Sequence, residues 1–162
     1  MYSTRESPIR TPSGLSFRES QLANSLKESI VVLKPTVLVA EDHSLVLARV
    51  VPYLEQTLDV VGTVGNGRDL ITEATRLRPD LIILDITLPL VNGIEAARRL
   101  RDSGLSSKLV FLTVHSDSDF VNACLAEGAL GYVTKSTMGS DLVAAINEAL
   151  ADRTFVSPTI VR

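Results

Sequence analysis

Residues 79–93 read Pro-Asp-Leu-Ile-Ile-Leu-Asp-Ile-Thr-Leu-Pro-Leu-Val-Asn-Gly, and this stretch decides the fold. Leu81 to Leu84 form an unbroken apolar run. It is too short for a helix and lacks the alternation of a half-exposed strand. Such a run suits a strand covered on both faces, as in a parallel sheet. It stops at Asp85, and Pro89 and Gly93 then mark a loop.

Working outward, the same kind of run recurs at Thr36–Ala40, Asp59–Val64, Lys108–Leu112 and Gly131–Val133, with the central one opening at Asp80. Helix-period segments lie between them, at 44–56, 68–78, 93–101, 117–127 and 140–151. In the third, Ile94, Ala97 and Leu100 share a face while Arg98, Arg99 and Arg101 point outward. Gly104 and Gly128 supply helix stops. Alternating strands and helices predict an α/β, doubly wound five-stranded parallel sheet with right-handed crossovers. The expected strand order is the flavodoxin-like 2-1-3-4-5.

The rest of the composition narrows the class. The chain has 162 residues, 45% hydrophobic and 22% charged, with a net charge of −3, enough for one well-buried core. There is no basic surplus to suggest nucleic acid or an anionic membrane. The single Cys124 excludes an intramolecular disulfide and suits a reducing compartment. No apolar run approaches the ~18 residues of a membrane span, and the N-terminus has no signal-peptide h-region. A soluble, cytoplasmic protein is expected. Residues 1–34 carry five basic groups against three acidic ones and are rich in Ser, Thr and Pro near the start. They read as an extension that is disordered, or marginally helical where Leu22, Leu26 and Ile30 recur every four residues. The folded domain is expected over 35–158, with a tail at 159–162.

In a doubly wound sheet the functional crevice lies beyond the carboxyl ends of the strands. Strand 1 ends in Glu41-Asp42, strand 3 in Asp85, strand 4 in Thr113, and strand 5 runs through Tyr132 into Lys135. Singly, these residues read as a turn former, a loop hydroxyl or a solvated charge. Together, three carboxylates repel one another and call for a cation. Hard oxygen donors with room for water favour Mg²⁺. A carboxylate beside Mg²⁺ and an ammonium can act as a nucleophile toward a phosphoryl group, giving an aspartyl-phosphate. Thr113 would hydrogen-bond the new phosphoryl oxygen.

These residues resemble the receiver domain of two-component response regulators. The likeness rests on Val37-Leu-Val-Ala-Glu-Asp-His43, the 79–93 segment, Leu112-Thr113 and Gly131-Tyr-Val-Thr-Lys135. The last of these, with the Asp85 to Thr113 spacing, is most similar to the NarL/FixJ (LuxR-type) subgroup. The resemblance implies a CheY-like (βα)5 fold and Asp85 as phosphoacceptor. It implies Glu41, Asp42, Asp85 and the backbone carbonyl of Thr87 as the Mg²⁺ site, and Lys135 as the phosphate-pairing lysine. Thr113 and Tyr132 are the implied switch pair, Tyr132 rotating inward behind Thr113 to alter the helix 4–strand 5–helix 5 face. Thr87 and His115 fall where the family varies phosphate lifetime, although an exposed loop imidazole is the expectation for His115. The implied partners are a sensor histidine kinase or phosphotransfer protein, docking near Leu45 and Leu47, and a second copy of the chain.

Two departures matter. Glu41 stands where many relatives have Asp, and its longer arm still reaches. The subgroup's helix-turn-helix has no counterpart before Arg162, so nucleic-acid binding by this chain is not expected. A pseudo-receiver that binds partners without phosphate would be expected to have lost part of the acid pair, Asp85 or Lys135. An aspartyl-phosphate phosphatase would need an acid where Thr87 stands. A truncated part of a LuxR-type DNA-binding regulator is a further alternative. Gly62, Gly65 and Gly67 do not match a dinucleotide-loop spacing. Cys124 reads as a buried, inert thiol, and His43 as the residue opening the first helix, a metal-ligand role being the remoter alternative at a Mg²⁺ site.

Overall fold

A computed structural model describes residues 33–160, together with Arg18 and Gln21. The reading of 1–34 as disordered or marginally helical falls almost wholly outside the described residues, as does the end of the tail. Strands β1 (Thr36–Ala40), β2 (Asp59–Val64), β3 (Leu81–Leu84), β4 (Lys108–Thr113) and β5 (Gly131–Thr134) alternate with helices α1 (Ser44–Leu54), α2 (Gly67–Leu77), α3 (Gly93–Asp102), α4 (Ser118–Ala126) and α5 (Met138–Leu150). All strand pairs are parallel, in the order β2-β1-β3-β4-β5. One strand is added to the expected five: β6 (Phe155–Val156) pairs with the outer edge of β5.

The apolar runs fill both faces of the sheet, as their lack of alternation required. Leu38, Ile82, Leu84, Phe111 and Tyr132 join one buried cluster with residues of α2, α3 and α4. Val37, Val39, Ile83, Val110 and Val133 join the other with residues of α1 and α5. Neighbouring residues of one strand thus serve opposite layers, the two-residue period of a pleated strand.

Local chemistry sets the helix limits. Asn66 and Asn92 accept hydrogen bonds from the main-chain N–H of Asp69 (2.8 Å) and Glu95 (2.9 Å), opening α2 and α3. Gly104 and Gly128, at φ +80° and +88°, follow α3 and α4 as helix stops. α5 begins two residues earlier than its periodicity suggests, because a 3₁₀ turn over Lys135–Thr137 leads straight into Met138. No helix among the described residues is long and apolar enough to cross a membrane.

Candidate functional site

The parallel sheet brings the carboxyl ends of β1, β3, β4 and β5 to one rim, and main-chain bonds there fix the direction of each side chain. Glu41 N–H donates to the Val64 carbonyl (3.0 Å) and Asp85 N–H to the Ala40 carbonyl (3.1 Å), extending the ladders one residue past β1 and β3. Behind Asp85, Gly93 N–H donates to the Ile86 carbonyl at 2.8 Å. A Cβ at Gly93 would overlap the Asp85 carbonyl oxygen, so only glycine lets α3 begin this close to the acid. Gly67 has the same function on the other side, where a Cβ would overlap the Val91 carbonyl. This close approach, not a nucleotide loop, accounts for that glycine.

Glu41 and Asp85 are buried, with side chains 4% and 2% exposed. Lys135 spans them: its Nζ lies 2.7 Å from Asp85 Oδ2 and 2.8 Å from Glu41 Oε2. Burial disfavours the ammonium, but the hydrogen bonds to Asp85 and Glu41 outweigh that and raise its pKa above the ordinary lysine value. Asp42 is more open, and His43 Nδ1 sits 3.0 Å from Glu41 Oε1 and 3.1 Å from Asp42 Oδ1. His43 therefore does more than open α1: it leans on both acids. Ligand atoms of Glu41, Asp42, His43 and Asp85 all lie within 4.8 Å of one another. Three carboxylates at that spacing, against one lysine, fit a single small hard cation.

Thr113, fully buried at the end of β4, accepts from His115 N–H at 3.5 Å. His115, expected as an exposed loop imidazole, is half-buried and engaged by its neighbours. Its Nε2 shares a 2.9 Å hydrogen bond with Thr87 Oγ1, and its ring stacks 4.3 Å from Phe120. Thr87 N–H reaches Asp85 Oδ1 at 3.4 Å. Tyr132 is fully buried and donates its hydroxyl to the His115 carbonyl at 2.8 Å. The ring already occupies the inward position to which the resemblance has it rotate. Cys124 is buried on the same side of the sheet, and burial pushes its thiol up to about 12, as expected of an inert core residue.

The family model described as "Response regulator receiver domain" matches residues 37–147. Response regulator GacA of Pseudomonas aeruginosa is 34% identical over 128 residues, covering 78% of this chain and 60% of that protein. The nitrate/nitrite response regulator protein NarL of Escherichia coli K12 is 34% identical over 127 residues, covering 77% and 59%. The chain thus spans about 60% of the length of these curated relatives. Among solved structures, a LuxR-family two-component response regulator from Aurantimonas superposes with a TM-score of 0.75 at 31% identity, covering 78% of this chain and 92% of that one. The receiver domain of the putative response regulator NarL from Mycobacterium tuberculosis gives 0.69 at 26% identity, covering 74% and 98%.

Proposed function

The chain belongs to the response regulator receiver domain family, and from that premise we propose that it is a phosphorylation-switched module whose phosphoacceptor is Asp85. The observation that carries this reading is the position of Asp85, 2.7 Å from the Lys135 ammonium and inside the cluster with Glu41 and Asp42.

Asp85 attacks the phosphorus of a phosphohistidine on a sensor histidine kinase or phosphotransfer protein. The P–O bond to Asp85 forms as the P–N bond breaks, and the imidazole leaves and takes up a proton from solvent. Lys135 is placed to neutralise charge on the transferred oxygens. Thr113 is placed to donate its hydroxyl to one of them. Mg²⁺, held by Glu41, Asp42, Asp85 and the Thr87 carbonyl, would offset the repulsion between acid and incoming phosphoryl group. The Thr87–His115 hydrogen bond, next to the Thr87 N–H contact with Asp85, would set how readily water reaches the phosphoryl group. The helix α4–strand β5–helix α5 face is the proposed output surface, with a second copy of the chain as one of its partners. The greater length of the relatives supports a second reading, in which this chain is the receiver portion of a longer transcriptional regulator.

Intact-protein mass after incubation with Mg²⁺ and acetyl phosphate tests the proposal. A gain of one phosphoryl group is expected in the wild type, and none in Asp85→Ala or with chelator. No gain in a folded, Mg²⁺-binding wild type would overturn it and favour a pseudo-receiver.

A further inference from the structure

The residues after α5 do not trail away from the sheet. Phe155 N–H donates to the Leu130 carbonyl at 2.8 Å and Ser157 N–H to the Tyr132 carbonyl at 2.9 Å, fastening the segment along β5. Ile160 is buried and Val156 packs beside it, in the cluster that holds Phe111 and Tyr132. The segment therefore covers the β5 edge of the proposed output face.

Ser157 ties this segment to the site. It is 1% exposed, accepts from Thr134 N–H at 3.4 Å, and its Oγ lies 3.2 Å from Thr137 Oγ1. The Thr137 hydroxyl also bonds the Thr134 hydroxyl (2.8 Å) and donates to the Thr134 carbonyl (3.3 Å). Thr134 and Thr137 thus bracket the turn that begins with Lys135, whose ammonium holds Asp85. Asp141 faces the same hydroxyls. Burial works against its carboxylate, yet the nearby hydroxyls of Ser157, Thr137 and Ser140, the last donating to Oδ1 at 3.1 Å, bring its pKa below the ordinary value. A continuous series of contacts runs from Asp85 through Lys135, its turn, Thr137 and Ser157 to the C-terminal segment.

We propose that residues 153–160 form a strap whose docking on β5 is coupled to Asp85 through the Thr137–Ser157 contact, and that phosphorylation of Asp85 loosens it. The proposal rests on the phosphoacceptor reading. A phosphoryl group on Asp85 places a bulky tetrahedral group where Lys135 now reaches the carboxylate, so the ammonium must withdraw or re-aim. Its turn is continuous with β5 on one side and α5 on the other, which leaves the displacement to be taken up at the strap. The 3.4 Å contact from Thr134 N–H is at the long end for a hydrogen bond, so it yields first. The coupling is reciprocal: a fastened strap opposes phosphorylation by the factor with which phosphorylation opposes fastening.

Amide hydrogen exchange at Phe155 and Ser157 in the full chain tests this, with and without Mg²⁺ and acetyl phosphate and with phosphorylation scored by mass. In the phosphorylated wild type both amides are expected to exchange roughly tenfold faster or more, while the core amides of Ile83 and Val110 keep their protection. Ser157→Ala and Thr137→Val should accept phosphate yet show no further change at the strap on phosphorylation. The core amides report whether each variant is folded, and Thr137→Val carries the test alone if Ser157→Ala is not. A phosphorylated wild type with unchanged or slower strap exchange, or variants that respond as the wild type does, would overturn the coupling alone. A wild type that gains no phosphoryl group overturns the phosphoacceptor reading and this one with it.

Discussion

The fully buried hydroxyl of Tyr132 donates to the His115 carbonyl at 2.8 Å, two residues past Thr113. One bond thus pins the loop after β4 to β5, and the Thr87–His115 contact carries that restraint on to the loop beside Asp85. Tyr132→Phe keeps the ring and leaves the carbonyl without its donor. We expect a loss of about 1 kcal/mol in urea unfolding, together with faster amide exchange across residues 114–117.

Alkaline stability follows from three groups. Burial raises the Cys124 thiol and the Tyr132 phenol, while Lys135 is raised by Asp85 and Glu41 against the opposing effect of burial. Each binds its proton more tightly folded than unfolded, so its stabilising contribution is complete below the unfolded value and is lost as pH rises toward the folded one. Stability should therefore fall from about pH 9, the ordinary thiol value, and more steeply above about 10 as the phenol and ammonium join. Each group contributes a slope of up to about 1.4 kcal/mol per pH unit. Tyr132→Phe should flatten the profile above pH 10, read by urea midpoints across pH 8 to 11.

Asp85→Ala removes one of three crowded carboxylates and leaves Lys135 with Glu41. We expect a gain on the order of 1 kcal/mol at neutral pH without divalent cation. Mg²⁺ should raise the melting temperature of the wild type much more than that of the variant. A variant less stable than the wild type under metal-free conditions would show that the Lys135 contact outweighs the repulsion.

Lys135→Met presents the opposite case. Glu41 and Asp85 stay buried without the ammonium between them, and breaking such a pair costs about 3 kcal/mol. Mg²⁺ should still bind, seen as a rise in melting temperature.

Gly93→Ala and Gly104→Ala separate two uses of glycine. The first drives a Cβ into the Asp85 carbonyl and should cost about 3 kcal/mol with loss of phosphorylation. The second meets open space at φ +80° and should cost about 1 kcal/mol with phosphorylation intact.

Five strands and five helices were legible because runs such as Leu81–Leu84 and faces such as Ile94, Ala97 and Leu100 carry their own periods. The rim residues were legible for a related reason: each stands where an apolar run stops. What escaped depends on partners distant in the chain. Phe155-Val156 is too short to show a strand period, and it is a strand only because Leu130 and Tyr132 present carbonyls to it. The His43 lean on Glu41 and Asp42, and the Thr87 bond to His115, are side-chain choices that no spacing encodes. The inward position of Tyr132 is decided by packing against Phe111, 6.5 Å between ring centres, and by a carbonyl on another loop.

Sheet edges invite other chains, since their unpaired N–H and C=O groups can template a further strand. Here β5, a four-residue and fully buried strand, is shielded by β6, which is two residues long and is followed, after Ser157, by Pro158, a residue with no N–H to offer. The outer border of the sheet is therefore too short to recruit a neighbour. Any state in which β6 leaves would uncover the main chain of Gly131 and Tyr132 as a ready-made template. Self-association by strand addition should then rise with strap opening, and Phe155→Pro, which deletes the donor to Leu130, should aggregate at concentrations where the wild type stays dispersed.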